Sequence, residues 1–125
     1  MNTPQNLRYT KSDEWVRVDS DDTVTVGISD YAQHELGELV YVELPEVGAT
    51  LKAGANLGVV ESVKAVGELY SPVEGEVLEV NTSTTDDPTI INNSPYEDGW
   101  LVKLRVQNPD LSELLDADAY AAYRS

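Results

Sequence analysis

Short apolar runs separated by polar or glycine-containing turns recur along this chain, and most of these runs contain β-branched residues. Residues 15–18 and 23–26 are two such runs, and the acidic segment 19–22 between them predicts a β-hairpin. Residues 38–44 alternate before Pro45, as a strand does. The alternation predicts two sides for this strand, with Leu39, Tyr41 and Glu43 on one side and Glu38, Val40 and Val42 on the other.

The second half of the chain continues the β-type pattern. We predict a strand within 72–81, a polar loop over 81–87, and the last β elements at 89–91 and 100–106. The glycine-bounded segment 48–54 reads as a loop or a short strand.

Two helices are predicted among the strands. Ser29 can cap a helix that runs to Leu36, and Gly37 is placed to end it. Asp110 is predicted to open a C-terminal helix, with Glu113 three residues later in a capping-box-like relation. The apolar stripe of this second helix would consist of Leu111, Leu114 and Leu115.

These elements predict a mainly β fold, a small sandwich or barrel with short helices. The length suits one domain, which we place at residues 7–125. Residues 1–6 are polar, so we expect a flexible N-terminus. No segment resembles a signal peptide or a membrane span of roughly 18 apolar residues. We therefore expect a cytoplasmic protein, or a mitochondrial one whose transit peptide has been removed.

Charge and cysteine content narrow the classes of function. The chain has 23 acidic and 8 basic residues, a net charge of −15, which disfavours nucleic acid and anionic membranes and suits partners with basic faces. Acidity that serves solubility alone is the alternative. With no cysteine, a single histidine and scattered acids, the sequence predicts no metal site and no nucleophile paired with a base.

Lys64 lies between the apolar runs 57–60 and 65–70, which predicts a hairpin with this lysine at its tip. Most lysines are solvated surface residues, and tight turns favour polar side chains in any protein. Here, however, the usual Asn-Gly or Asp-Gly pair is missing and β-branched Val63 precedes the lysine. Turn formation alone does not account for this choice of residues.

The segment Glu61-Ser62-Val63-Lys64-Ala65, with Ser71-Pro72 and Gly75-Glu76-Val77 after it, resembles the lipoyl-attachment hairpin of the H-protein family of the glycine cleavage system. The resemblance extends from about Leu7 to Tyr123. Further blocks in the same order are Tyr9-Thr10, Glu14-Trp15-Val16, Gly27-Ile28, Asp30-Tyr31-Ala32-Gln33, Leu36-Gly37, Val42-Glu43-Leu44-Pro45 with Gly48, Ile91-Asn92, Ser94-Pro95-Tyr96 and Gly99-Trp100.

The resemblance implies the hybrid barrel-sandwich fold of lipoyl and biotinyl carriers, built of two antiparallel sheets. It also implies lipoate bound covalently to Lys64, with Glu61, Val63 and Ala65 recognised by the attaching enzyme, a lipoate ligase or a lipoyl or octanoyl transferase. The implied role is that of a carrier and not an enzyme: a shuttle with three partner enzymes. It would take an aminomethyl group from a pyridoxal-phosphate glycine decarboxylase to a folate-dependent aminomethyltransferase, and then bring the dithiol to dihydrolipoamide dehydrogenase.

A cleft for the loaded arm is also implied, because water would hydrolyse the aminomethyl amine. Glu14 matches the family position of an acid that pairs with the ammonium. The other matching cleft positions are Ser12, Ile28, Ala32, Glu35, Leu36 and Glu68. The two further acids also fit a description as solvated surface residues, and the three apolar residues also fit ordinary core.

Asp13 departs from the family, which usually has histidine before the Glu-Trp pair. A second acid there would either strengthen the pull on an ammonium or simply be solvated. His34 is interpreted as a surface residue of the first helix.

Three other functions compete with this interpretation. A lipoyl domain of a 2-oxo acid dehydrogenase, or a biotinyl carrier, usually shows Asp-Lys-Ala or Met-Lys-Met and lacks the Glu14-Trp15 block and the C-terminal helix. A relay protein that passes lipoate to other enzymes would have the same attachment motif, so this alternative stays open. A Schiff-base enzyme would need Lys64 desolvated or beside a cation, whereas Glu61 and Glu68 flank it.

Overall fold

The computed structural model describes residues 2–107 and 111–125, and within them it shows nine strands and four short helices. The strands are β1 (Arg8–Tyr9), β2 (Glu14–Ser20), β3 (Thr23–Ile28), β4 (Leu39–Glu43), β5 (Thr50–Leu51), β6 (Asn56–Ser62), β7 (Val66–Tyr70), β8 (Gly75–Val80) and β9 (Val102–Arg105). The helices are α1 (Asp30–Leu36), α2 (Thr82–Asp86), α3 (Thr89–Asn93) and α4 (Ala117–Tyr123).

The strands form two antiparallel sheets, one with the order β1-β2-β3-β9-β8-β5 and one with the order β4-β6-β7. Inward-facing side chains of both sheets form one apolar cluster, which includes Val26, Leu104 and Val60. The predicted mainly β fold of two antiparallel sheets with short helices, one of them C-terminal, is confirmed.

The predicted hairpin of 15–18 and 23–26 is formed by β2 and β3, where Trp15 lies opposite Gly27. A Cβ on Gly27 would be 2.6 Å from the Trp15 indole, so only glycine leaves room for the ring. The indole Nε1 donates to the carbonyl of Pro95 at 3.0 Å. This buried tryptophan fixes the start of β2, where the residues before it approach the first helix.

The predicted sides of the fourth strand are wrong. Leu39 and Val42 are both buried, whereas Val40 and Tyr41 are exposed. A register shift between Leu39 and Tyr41 inserts a residue into β4, so the side chains no longer alternate strictly.

The predictions for residues 81–91 are also wrong, because this segment forms helices α2 and α3 instead of a loop and a strand. The Asn81 side-chain amide donates to the carbonyls of Asp98 and Trp100 at 2.8 and 2.7 Å, which anchors the start of α2. The Asp87 carboxylate accepts from the backbone N–H and the hydroxyl of Thr89 at 3.2 and 2.6 Å, which satisfies the start of α3. These contacts override the β preference of the Thr-Ile-Ile run.

The C-terminal helix exists, but it begins later than predicted. Asp110 lies outside the described residues, and Glu113 lies in a turn. The helix begins after Asp116, whose carboxylate accepts from the Ala119 amide at 2.8 Å. Leu115, predicted to lie on the apolar stripe of this helix, precedes the helix and exchanges two backbone hydrogen bonds of 2.8 Å with Tyr9.

Helix α4 packs on the start of the six-stranded sheet, where the rings of Tyr9 and Tyr120 stack with centroids 4.6 Å apart.

At the other end of the chain, the backbone N–H of Asn2 donates to the Asp30 carboxylate at 2.9 Å, and the backbone carbonyl of Asn2 accepts from the Tyr96 hydroxyl at 2.7 Å. The expected flexibility of residues 1–6 stays a prediction.

In residues 2–107 and 111–125, no helix has the length and apolar character needed to cross a membrane.

Candidate functional site: a lysine hairpin beside a cleft

The tip between β6 and β7 is a tight turn closed by a serine. The Ser62 N–H donates to the Ala65 carbonyl at 2.8 Å, and the Ala65 N–H donates to the Ser62 hydroxyl oxygen at 3.1 Å. The Ser62 hydroxyl therefore stabilises this turn, which lacks the Asn-Gly pair common in tight hairpins. Val63 and Lys64 protrude beyond these bonds, and Val63 is 87% exposed.

The Lys64 side chain extends toward the end of α1. A Cβ on Gly37 would be 3.4 Å from Lys64 Cε and 4.0 Å from Nζ, so the lysine stem lies close above this glycine. Gly37 has φ +85° and closes α1 through a hydrogen bond of its N–H to the Gln33 carbonyl. In the part of the chain that the structure describes, the Lys64 ammonium has no hydrogen-bond or ion-pair partner. The ammonium is therefore not held by another side chain of the described residues.

A cavity of about 190 Å³ lies between α1, the residues before β2, and the sheet of β6 and β7. Six of the seven predicted cleft residues line it: Ser12, Ile28, Ala32, Glu35, Leu36 and Glu68. The cavity begins close to the lysine, since Leu36 directly precedes Gly37. Its other lining residues are Asp13, Tyr31, Val60, Gly67 and Leu69.

The cavity has apolar walls and an acidic rim. Ile28, Ala32 and Leu69 are buried in the walls, whereas Glu35 and Glu68 are exposed. A Cβ on Gly67 would be 3.3 Å from Val60 Cγ2 and 3.4 Å from Leu36 Cδ2, so the glycine preserves space. This arrangement suits a hydrocarbon chain that ends in a cation.

Glu14 does not line the cavity but lies behind Ser12, with 1% of its surface exposed. Its Oε1 accepts from the hydroxyls of Thr10 and Ser12 at 2.7 and 2.6 Å, and its Oε2 accepts from the Tyr70 amide at 3.4 Å. Burial raises the pKa of the Glu14 carboxyl above its ordinary value, although these three hydrogen bonds act in the opposite direction. Direct contact of Glu14 with a group in the cavity thus requires that the Ser12 hydroxyl turns aside, whereas its charge acts on the cavity through space.

Asp13 is neither a free second acid nor a merely solvated one. Its Oδ1 accepts from Arg124 Nε at 2.8 Å and from the Tyr120 hydroxyl at 2.7 Å, and its Oδ2 accepts from Arg124 Nη2 at 2.7 Å. Sequence reasoning missed Arg124 and Tyr120, because no local pattern links them to a residue more than a hundred positions earlier. His34 is exposed on α1, as predicted.

A larger cavity of about 450 Å³ lies between α1 and α3. Its lining residues are polar apart from Gly37: Gln33, His34, Gly37, Glu38, Thr89, Asn92 and Asn93. It lacks the apolar walls of the smaller cleft and is therefore less suited to a hydrocarbon chain. Within the described ranges, no three His, Cys, Asp or Glu side chains are grouped to hold a metal ion.

The sequence profile of the family described as Glycine cleavage H-protein matches residues 7–125. The chain belongs to the glycine cleavage H-protein family. The resemblance noted from the hairpin and the surrounding blocks is thereby confirmed.

Relatives named glycine cleavage system H protein are similar along nearly the whole chain. The protein of Chromohalobacter salexigens is 55% identical over 120 residues, which covers 95% of this chain and 92% of the relative. The protein of Stenotrophomonas maltophilia is 56% identical over 119 residues, covering 94% and 91%. The crystal structure of a glycine cleavage system H protein from Mycobacterium marinum matches with a TM-score of 0.90 at 41% identity, covering 97% and 98%.

Proposed function

We propose that this chain is the lipoyl-carrying shuttle of a glycine cleavage system and that Lys64 is its attachment site. The observation that carries the proposal is the Lys64 amine on an exposed hairpin tip next to an apolar cleft, without a hydrogen-bond or ion-pair partner among the described residues. Lipoate supplies a dithiolane on a flexible arm, and the protein supplies its position. As a carrier, the chain needs no nucleophile with a base of its own.

The cleft residues fit such an arm. Ile28, Leu36 and Leu69 offer apolar walls to its methylene chain, while the rim offers carboxylates to an ammonium at its end. An amine held beside carboxylates stays protonated and therefore lacks the lone pair that expels its neighbouring sulfur. We infer that the cleft protects the cargo by keeping it protonated and away from water.

Ser12 and Glu14 would act as one unit at this site. The Ser12 hydroxyl lines the cavity and donates to Glu14, so the buried charge lies directly behind it. An ammonium that reached Ser12 would be stabilised by the buried Glu14 carboxylate directly behind this hydroxyl. Glu14 thereby remains the proposed counter-charge of the arm, but through a hydroxyl and not as an open wall residue.

The attaching enzyme would recognise the hairpin and not the cleft. Val63 protrudes next to Lys64, and Glu61 lies opposite Val66 at the start of the hairpin. The Ala65 N–H keeps the turn closed by donating a hydrogen bond to the Ser62 hydroxyl oxygen. These contacts support recognition by a lipoate ligase or a lipoyl or octanoyl transferase.

Partner enzymes would be the glycine decarboxylase, the aminomethyltransferase and dihydrolipoamide dehydrogenase. One assay separates this set from a 2-oxo acid dehydrogenase. After incubation with glycine and the decarboxylase, the lipoylated protein should gain ~31 Da, the mass of methylamine. Acyl transfer from a 2-oxo acid dehydrogenase together with no gain from glycine would contradict the proposal.

A further inference from the structure

The penultimate residue, Arg124, contacts two lining residues of the cleft that belong to different elements. Its guanidinium forms a two-point ion pair with Asp13, just before β2, and lies 4.6 Å from the ring centroid of Tyr31 on α1. Nη2 also donates to the Lys11 carbonyl at 3.1 Å. A planar guanidinium is the group that can make a fork to a carboxylate and stack on a ring simultaneously.

The helix that carries Arg124 is itself fixed to the same region. The Tyr120 hydroxyl donates to the Asp13 carboxylate. The Ser29 hydroxyl lies 2.7 Å from the Tyr120 hydroxyl and donates to it, because the Tyr120 proton is already used in the bond to Asp13. The Ser29 N–H donates to the Asp13 carbonyl at 2.9 Å, and its side chain caps α1 by accepting from Ala32. One network thus joins the residues before β2, the start of α1 and the C-terminal helix.

Asp13 depends on this network in two ways. Its backbone has φ +77°, a conformation that an aspartate tolerates better than most residues but that still needs support. Its side chain would also add one more negative charge to the lining of an already acidic cleft. The arginine fork offsets this charge and uses both carboxylate oxygens, so Asp13 does not compete for a cation in the cleft.

We propose that Arg124 is a positioning residue of the arm cleft: by clamping Asp13 and Tyr31 it holds the cleft closed and leaves the ammonium of the arm to Ser12 and Glu14. This inference rests on the proposed function. The reaction it would retard is hydrolysis of the loaded arm, in which one water is consumed and the C–S and C–N bonds break. The products are the free thiol, formaldehyde and ammonium.

Arg124→Ala tests the clamp, with Arg105→Ala as the matched control, since Arg105 forms an exposed ion pair with Glu76 on β8. Before lipoylation, amide hydrogen exchange of Ser29 and Ala32 should be at least about tenfold faster in Arg124→Ala and unchanged in the control. After lipoylation and loading, Arg124→Ala should lose its cargo at least about threefold faster. Lipoylation itself should proceed at the wild-type rate.

Asp13→Asn removes the same ion pair from the other side and keeps a residue that tolerates positive φ. It should match Arg124→Ala in both measurements, and the double variant should be no worse than either single one. Arg124→Lys keeps the charge without the fork and should fall between wild type and Arg124→Ala. Asp13→His, which restores the residue usual in the family, should also accelerate cargo loss, because it removes the acceptor of the fork.

Unchanged exchange and cargo lifetime in Arg124→Ala would overturn the clamp, and so would equal effects of Arg105→Ala or additive effects in the double variant. A wild-type chain that acquires no lipoyl group would instead refute the proposed function. The hydrogen-exchange comparison needs no lipoate, so the two failures are distinguishable.

Discussion

Lys64 and Gly37 meet where the hairpin tip approaches the end of α1: the position of a Cβ on Gly37 is 3.4 Å from Lys64 Cε. The glycine is required by its backbone, with φ +85° and ψ −164°, a region that side chains other than hydrogen rarely allow. It also leaves the lysine stem free to lie close to the mouth of the cleft. One residue therefore ends the helix and leaves room for the Lys64 side chain.

Gly37→Ala should lower the free energy of unfolding by roughly 1 to 3 kcal/mol because of backbone strain. It should also shift the NMR signals of the Lys64 methylene groups. Gly48→Ala is the control, since Gly48 also has positive φ, +94°, but a Cβ there would touch nothing within 4 Å. An equal Lys64 shift in both variants would contradict the contact.

Glu14 should make stability depend on pH. Burial raises the pKa of its carboxyl in the folded state, so the folded protein binds this proton more tightly than the unfolded chain does. Its stabilising effect is complete below the unfolded pKa and is lost as pH rises through the folded pKa. Glu14→Gln removes this titration. The unfolding free energy of the variant minus that of the wild type should therefore increase from about pH 4 to pH 7.

Thermal and urea unfolding of the two proteins at several pH values in that range measure this difference. Other titrating groups are shared and cancel in the subtraction. A difference that stays flat, or that decreases with rising pH, would show that Glu14 has no raised pKa in the folded protein.

Glu14→Gln should also shorten the lifetime of the loaded arm. The change keeps the shape and the bonds from Thr10 and Ser12 but removes the charge, which we expect to cost about 1 to 3 kcal/mol of arm docking. Loss of formaldehyde and ammonia should become several-fold faster, with normal lipoylation. Glu79→Gln, on the exposed side of β8, is the charge-matched control. Equal decay in wild type and Glu14→Gln would remove Glu14 from the mechanism.

Partner docking should weaken with salt, because a chain of net charge −15 attracts basic faces over a screening length of ~10 Å at 0.1 M. Loading by the glycine decarboxylase should become several-fold slower between about 20 and 300 mM salt, a roughly fourfold change in that length. Sucrose at equal osmolality controls for effects that do not depend on charge. A rate indifferent to salt would leave solubility as the function of the acidity.

Local patterns were enough to predict several elements that position the site. The β2–β3 hairpin follows from alternation and an acidic turn, and α1 follows from the Ser29 cap and Gly37. The Lys64 hairpin follows from two apolar runs on either side of a polar tip. The cleft lining came from the family resemblance, since no periodicity brings Ser12, Leu36 and Glu68 together.

The features that were missed depend on contacts between distant residues. Helix α2 starts after Asn81, whose side-chain amide donates hydrogen bonds to the carbonyls of Asp98 and Trp100. Helix α4 starts later than predicted, after Leu115, which forms backbone hydrogen bonds with Tyr9. The ion pair of Asp13 with Arg124 spans 111 positions. No window of local sequence contains both partners of such a contact, so propensity and capping patterns cannot predict it.

Intact-mass spectrometry of the wild type and Lys64→Arg, both produced in a host that attaches lipoate, tests the central claim most directly. Arginine keeps the charge and approximate length but offers no amine that the host enzyme can acylate. The wild type should gain ~188 Da, the mass of one lipoyl group, and Lys64→Arg should gain none. A wild type without added mass, or a Lys64→Arg protein that carries it, would contradict the assignment of Lys64 as the lipoyl attachment site.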